Sequence, residues 1–281
     1  MLYSFSLKEL LKKCFETDWA NGRIPRVVKK EEDIENVKKL LYSVYKQYKE
    51  TYKYYASLSP SADVWSISQL PFTDYINESN IIDNKSLKLS DVDIKFIATL
   101  SSGEKSNPRN PERSLVRYQL MEVMVRIAEE RYIKSGQAQN FAEAVEISLR
   151  DNFMPFFNKY NAQIWRDEKY WCESCDDALK FYKIVLDHVY FRYSVKKVKP
   201  GQKKFMCLEE FHDIFKHANL LDENFVERDV YLAFNLAMMT NVDELTVNRI
   251  FEMTFVEFLE ALSRCADKMS LPKIGKTVRN F

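Results

Sequence analysis

One stretch of this chain is repeated at a nearly constant distance along the sequence. Asn80-Ile-Ile-Asp83 returns as Asn219-Leu-Leu-Asp222, an offset of 139 residues. Two further segments return after 138 residues: Asp91–Phe96 as Asp229–Phe234, and Leu120–Glu129 as Phe258–Asp267. Because both copies must fold in the same way, this spacing constrains the fold more than any single motif, and it predicts two copies of one unit.

Each copy is predicted to contain four helices joined by loops. One helix ends near Tyr75 or Phe215, a second runs through Phe96 or Phe234, and an amphipathic helix closes the copy after a long connection. In that last helix an acid precedes a base by four residues, which is the favoured orientation for an ion pair on a helix surface. The two pairs are Glu122 with Arg126 and Glu260 with Arg264.

The composition favours an all-α protein. The 281 residues include only 5 glycines and 8 prolines, too few for the many tight turns of an all-β or Rossmann-type fold. The chain is 46% hydrophobic and 30% charged, which is typical of a folded globular protein rather than a disordered or membrane-spanning one. The net charge of +1 argues against a globally basic nucleic-acid binder.

A long amphipathic helix precedes the first copy. Its apolar residues recur in steps of three and four and form one stripe: Ile34, Val37, Leu41, Val44, Tyr48, Tyr52 and Tyr55. The stripe can pack on the core of the protein or on a partner helix, and its length favours the core. The pattern breaks at 58–63, where proline and serine favour a turn.

A helical block lies between the two copies. Asn140 and Glu143 are predicted to cap a helix over Phe141–Asn152, which Pro155 ends or bends. A second long amphipathic helix is predicted from about Cys175, with the stripe Leu179, Tyr182, Leu186, Val189 and Tyr193.

These observations divide the chain into five segments. They are an N-terminal helical segment (1–57), a first repeated unit (58–135), a helical connector with a basic linker (136–202), a second repeated unit (203–270) and a C-terminal tail (271–281).

Motifs of catalysis are absent, so no enzyme, cofactor or metal centre is predicted. The chain has neither a phosphate-binding glycine loop nor a Gly-x-Ser-x-Gly turn, and it has only three histidines. The single Cys172-Glu-Ser-Cys175 motif lacks the second pair that a zinc site needs, and we interpret it as two reduced thiols near a helix start that Ser174 caps. Five cysteines without a secretory or membrane-spanning segment favour a reducing, cytoplasmic location.

Two helix–loop–helix copies with phenylalanine anchors have the outline of a paired EF-hand. A calcium loop needs oxygen ligands at positions 1, 3 and 5, glycine at position 6 and glutamate at position 12. Counted from Asp83, position 6 is Lys88 and position 12 is Ile94; counted from Asp222, they are Glu227 and Ala233. Neither loop is therefore expected to bind calcium.

The segment Asn80–Phe96 resembles the core of the tubulin polymerization-promoting protein family. Members carry a similar Ile-Asp-x-Lys run followed by Asp-Val-Asp-Ile-x-Phe. The resemblance implies a helical domain related to degenerate EF-hands, present twice, and an association with microtubules. The arrangement is also similar to EF-hand-like proteins of protist cilia.

The first hypothesis is a non-catalytic structural protein of the cytoskeleton. It would associate with tubulin in microtubules, or with other proteins of the ciliary axoneme, inside a large assembly and without nucleic acid or membrane. Its lysines would face an acidic partner. The candidate contacts are Lys196, Lys197, Lys199, Lys203 and Lys204, in a basic stretch that can also be read as a solvated linker, and the lesser patch Lys29 and Lys30.

Two alternatives stay open. One is an EF-hand-like regulatory or adaptor module that binds a partner helix through a methionine-rich groove. Its methionines would be Met121, Met124, Met238, Met239 and Met253, which can equally be core residues. The other alternative is a calcium sensor.

Overall fold

The protein is an all-α fold. The computed structural model describes residues 7–59, 65–101, 109–194 and 203–269. In these ranges the only strands are two of two residues each, β1 (Ile67–Ser68) and β2 (Ser114–Leu115). The helical prediction from composition and periodicity is confirmed.

The chain forms two compact units. The first unit comprises residues 1–162 and 240–247, and the second comprises 163–239 and 248–281. This division differs from the five segments that the repeat suggests: the N-terminal helical segment and residues 136–162 of the connector belong to the first unit, and the rest of the connector belongs to the second. A short segment from the middle of the second repeat, 240–247, also belongs to the first unit.

The first unit is built from eight helices in the described ranges. Short π-helical turns, Glu129–Ile133 and Leu149–Phe153, follow α6 and α7, and a 3-10 turn, Asn158–Tyr160, follows α8. The helices are α1 (Leu7–Asn21), α2 (Ile24–Val28), α3 (Glu31–Ser57), α4 (Gln69–Ser79), α5 (Leu89–Ser101), α6 (Arg117–Ala128), α7 (Phe141–Ser148) and α8 (Met154–Phe157).

The second unit continues from α9 (Ala162–Trp165), which spans the boundary. A π-helical turn, Arg166–Tyr170, follows α9, and a 3-10 turn, Asn248–Phe251, precedes the last helix. The remaining helices are α10 (Glu173–Phe181), α11 (Lys183–Tyr193), α12 (Leu208–His217), α13 (Glu227–Ala237) and α14 (Phe255–Lys268).

The predicted helix from about Cys175 is interrupted. The backbone of Tyr182 leaves the helical region (φ −89°, ψ 6°), so that α10 ends and α11 begins there. Ser174 does not cap the helix as predicted. Cys172 occupies the N-cap position, and Ser174 lies in the first turn.

The predicted stripe of α3 packs on the protein's own core. All of its members are buried except Ile34, which packs against the same core. Aromatic residues of the connector cover one side of this stripe. The Tyr54 and Tyr160 rings stack at 3.9 Å, and the Tyr48 ring meets the Phe157 ring at 6.3 Å. An apolar helix face of this length needs such a cover, and for this reason residues 136–162 of the connector belong to the first unit.

The predicted cap of α7 is confirmed. The Asn140 side chain accepts a hydrogen bond from the Glu143 amide at 2.9 Å, and the Glu143 carboxylate accepts one from the Gln139 amide. Pro155 lies in the first turn of α8, directly after the π-helical turn. A missing amide donor is tolerated in a first turn, so Pro155 marks the restart of the helix.

The two repeats share their strand pairing. In the first unit Ile67 pairs with Leu115 in an antiparallel ladder, just before α4 and α6. In the second unit Met206 pairs with Met253 in the same sense, just before α12 and α14. The offsets are 139 and 138 residues, the same as in the sequence repeat.

The repeated aspartates have local structural roles. Asp83 accepts hydrogen bonds from the amides of Lys85, Ser86 and Leu87, and Asp222 accepts them from two amides of its own turn, Asn224 and Phe225. The turns start at Asn80 and Asn219, both left-handed (φ 53° and 52°). Asparagine tolerates this conformation better than most residues, so the repeated Asn and Asp residues favour a tight turn in both copies.

The repeated ion pairs form at 2.8 Å, but not on the helix surface as predicted. Glu122 is 1% exposed, and it also accepts a hydrogen bond from the Arg23 amide at 3.0 Å. Glu260 and Arg264 are both 9% exposed, and Arg166 donates to Glu260 at 2.9 Å. Neighbouring segments cover both pairs and supply further donors, which a spacing of four residues cannot reveal.

A buried arginine, Arg117, binds residues 240–247, the part of the first unit that is far from the rest of it in the sequence. The Arg117 guanidinium donates to both carboxylate oxygens of Asp18 (2.6 and 3.0 Å) and to Glu244 (2.5 Å), and it reaches the carbonyls of Asn241 and Val242. Tyr45 donates to the same Asp18 at 2.6 Å. Burial alone would lower the pKa of Arg117, but Asp18 and then Glu244 raise it above its ordinary value.

We expect Arg117→Ala to destabilise the first unit by about 3–5 kcal/mol, because it leaves two carboxylates without their buried partner. The measurement is urea unfolding followed by circular dichroism. The control is Arg150→Ala, since the Arg150–Asp151 pair is exposed (65% and 49%) and is expected to change stability by less than about 1 kcal/mol. Equal losses in the two variants would contradict the role of Arg117.

The turn at Asp83 predicts a specific pH dependence. Hydrogen bonds from the Leu87 amide, then from the Lys85 and Ser86 amides, and the nearby Arg131 lower the pKa of Asp83 to about 2. The stabilisation is therefore complete above the unfolded pKa of about 4. It is lost as the pH falls through about 2.

We expect Asp83→Asn to lower the midpoint of thermal unfolding at pH 6, with a difference from the unchanged chain that closes between pH 4 and about pH 2. Carboxyl-carbon NMR titration measures the Asp83 pKa directly. Glu112→Gln, at an exposed position, is the control. A difference that stays constant over this pH range would contradict the assignment.

Candidate functional site

Large apolar side chains are exposed along α10 and α11 of the second unit. Phe181 is 80% exposed, Ile184 81%, and Phe191 52%. Tyr182 and Val185 are also more than half exposed. We call these five residues, together with Arg192, Lys203 and Lys204, the α11 surface.

Tyr190 fixes which side of α11 faces outward. Its ring packs against Phe255 and Phe258, with centroids 5.4 and 5.5 Å away, and its hydroxyl donates to the Met253 carbonyl at 2.9 Å. Ile184 and Phe191 lie about 100–120° around the helix from Tyr190, because 100° separates successive residues, so neither shares its buried side. The buried tyrosine therefore turns apolar side chains to solvent.

Of the five lysines predicted between 196 and 204, the structure describes Lys203 and Lys204, and Lys204 lies beside this helix. Lys204 accepts a hydrogen bond from the Tyr190 hydroxyl through its backbone carbonyl at 3.2 Å. Its ammonium nitrogen lies 5.7 Å from the centre of the Phe191 ring, within the range of a cation–π contact. Two residues after Lys204, the pairing of Met206 with Met253 fixes the position of the backbone.

The α11 surface carries positive charge that no acidic residue of the described ranges pairs with. Lys180 and Lys183 are neutralised on their own helices by Asp176 (2.5 Å) and Asp187 (2.6 Å). Arg192, Lys203 and Lys204 form no ion pair with any residue in the described ranges. The surface therefore combines exposed apolar groups with free positive charge, and acidic partners with apolar groups fit it best.

The other predicted lysines are distributed as follows. Lys29 and Lys30 are exposed in the first unit, between α2 and α3, where three acids follow directly: Glu31, Glu32 and Asp33. These acids make the patch less basic than its two lysines suggest. Lys196, Lys197 and Lys199 lie outside the described residues.

Sequence reasoning missed the exposed apolar side chains. It followed the stripe from Leu179 to Tyr193, whose members other than Tyr182 are partly buried. The available signal was that α11 is apolar on nearly every side. A helix of that kind on a protein surface indicates a second contact area.

The methionines of the predicted groove do not line an open surface. Met121, Met124, Met238 and Met253 are at most 3% exposed, and only Met239, at 65%, is accessible. Core packing explains the four buried residues, so an adaptor function would have to use another surface.

The Cys172–Cys175 motif lies at the start of α10. The Cys172 sulfur is 3.3 Å from the Ser174 hydroxyl oxygen. Hydrogen bonding from Ser174, and then from the Cys175 amide, lowers the pKa of Cys172, whereas burial raises the pKa of Cys175. Cys14, Cys207 and Cys265 are buried. The five thiols are thus chemically distinct.

Neither a metal centre nor a membrane span is found in the described ranges. No three residues among histidine, cysteine, aspartate and glutamate come close enough there to hold a metal ion. In the same ranges, no helix combines the length and the apolar character needed to cross a membrane.

Comparisons with known proteins give no relative. No protein-family model, no curated protein and no solved structure matches the chain. Function is therefore inferred from the surface itself.

We expect Cys172 to react with iodoacetamide before the other four cysteines at pH 7, because a lowered pKa increases its thiolate fraction. Peptide mass spectrometry over a time course identifies the modified residue. Cys14, Cys207 and Cys265 should react only after unfolding, and Cys172→Ser should remove the fast phase. A fast phase on Cys175 would contradict this order.

Proposed function

We propose that the protein is a non-catalytic structural protein that associates with microtubules or with the ciliary axoneme. The observation that carries the proposal is the α11 surface, where Arg192, Lys203 and Lys204 lie beside exposed apolar side chains without acidic partners among the described residues. The surface of tubulin is acidic, so such a surface is complementary to it in charge.

The resemblance of Asn80–Phe96 to the tubulin polymerization-promoting protein family is a second support. Its aspartates, Asp83 and Asp91, accept hydrogen bonds from backbone amides of the turn before α5. The matching residues therefore stabilise the local fold. The resemblance therefore supports a related helical domain, and the contact itself is assigned to the basic residues.

The test is co-sedimentation with microtubules over a salt series. We expect binding at low ionic strength that weakens as salt is added, because exposed charges are screened over about 8 Å at physiological ionic strength. Reversing two charges, in Lys203→Glu with Lys204→Glu, should weaken binding about tenfold, which corresponds to about 1.4 kcal/mol.

Two matched variants control for net charge. Lys8→Glu with Lys12→Glu changes two exposed lysines of α1 and should leave binding unchanged. Lys29→Glu with Lys30→Glu should cause a smaller loss than the change at 203 and 204, because acids already surround that patch. Absence from the pellet at low salt, or equal losses in all three variants, would overturn the proposal.

A further inference from the structure

The repeat extends further towards the N-terminus than the matching letters indicate. The Tyr52 hydroxyl donates to the Trp65 carbonyl, and the Tyr190 hydroxyl donates to the Lys204 carbonyl. Each acceptor lies two residues before a paired strand residue, Ile67 or Met206. Tyr190 is therefore the counterpart of Tyr52, and α11 is the counterpart of the C-terminal half of α3.

This alignment, at an offset of 138, brings the two apolar stripes into register. In the second unit the stripe reads Leu179, Tyr182, Leu186 and Tyr193; the corresponding residues of α3 are Leu41, Val44, Tyr48 and Tyr55. The same apolar stripe thus occurs in both units: on α3 in the first unit, where other side chains cover it, and on α10 and α11 in the second.

The cover in the first unit is aromatic. Phe153, Phe156 and Phe157, from the π-helical turn after α7 and from α8, are at most 2% exposed. The Tyr55 ring lies 6.4 Å from Phe156 and 5.6 Å from Tyr160. Under this cover Leu41, Val44, Tyr48 and Tyr55 are at most 8% exposed.

In the second unit this stripe is more accessible. Tyr182 is 56% exposed and its neighbour Val185 is 59% exposed, whereas Val44, the counterpart of Tyr182, is 8% exposed. The helices α7 and α8 follow α6, but the described residues after α14 end at Met269 and include no counterpart of these two helices.

We propose that the stripe of α11 binds an amphipathic helix of a partner protein, with phenylalanine or tyrosine on one face and acidic residues at its edge. The aromatic face would take the place that α7 and α8 have on α3. Arg192 is the counterpart of Tyr54, whose ring stacks on Tyr160 at 3.9 Å. A guanidinium can stack on an aromatic ring in the same way and can pair with a carboxylate.

This inference goes beyond the proposed association with microtubules or the axoneme, because it names the chemistry of one bound segment. The acidic edge follows from Arg192, which is exposed next to the stripe and forms no ion pair with a residue of the described ranges. Microtubule co-sedimentation and helix binding are separate measurements, so either can fail alone.

The test uses a fluorescent peptide with the sequence of residues 140–160, which contains α7 and α8 and so reproduces the cover of the first unit. The complete chain is titrated, and binding is followed by fluorescence anisotropy. Tyr182→Ser with Val185→Ser should weaken binding at least about tenfold, because the exposed tyrosine of the stripe and its exposed neighbour are removed.

The matched control is Ile184→Ser. Ile184 is 81% exposed on the same helix but lies on the side opposite the stripe, so binding should be unchanged. A peptide with serine in place of Phe153, Phe156 and Phe157 should not bind. All of these substitutions in the chain are at exposed positions, and circular dichroism checks that the helices remain.

Three outcomes would overturn the proposal. The first is the absence of peptide binding, and the second is binding that Tyr182→Ser with Val185→Ser leaves unchanged, since the peptide would then use another site. The third is a concentration-dependent dimer that the same variant dissociates, because a second copy of the chain would then be the occupant.

Discussion

The first unit depends on covering one long apolar stripe. Seven turns of α3 carry aliphatic and tyrosine side chains on one side, and these residues drive folding only if neighbouring helices keep them from water. The aromatic side chains of 153–160 provide much of that cover. The N-terminal segment and residues 136–162 of the connector thus belong to one unit, although the first copy of the repeat lies between them in the sequence.

Two charged groups that are buried inside this unit, Arg117 and Glu122, are closely paired. Arg117 is 2% exposed, and its hydrogen bonds reach two carboxylates and two backbone carbonyls. A buried guanidinium is tolerated only when its donors are satisfied, so this network selects the one arrangement that places 240–247 against it. The same rule applies to Glu122, which bonds to both Arg126 and the Arg23 amide.

The second unit repeats much of this design with a different surface. Its strand pairing, its turn aspartate and its buried acid–base pair correspond to those of the first unit. Its counterpart of α3 is short, broken at Tyr182 and apolar on its accessible side. We infer function from the exposed residues of α11, where the two copies differ. The features that the copies share stabilise the fold.

The sequence by itself determined the all-α class, the repeat, the buried stripe of α3 and the cap at Asn140, because these follow from periodicity and from hydrogen bonds between near neighbours. Tertiary structure alone decided that Glu122 and Glu260 are buried, that 240–247 belongs to the first unit, and that α11 leaves Ile184 and Phe191 in solvent. A local pattern identifies the apolar sides of a helix. Which of those sides is covered depends on segments far away in the chain.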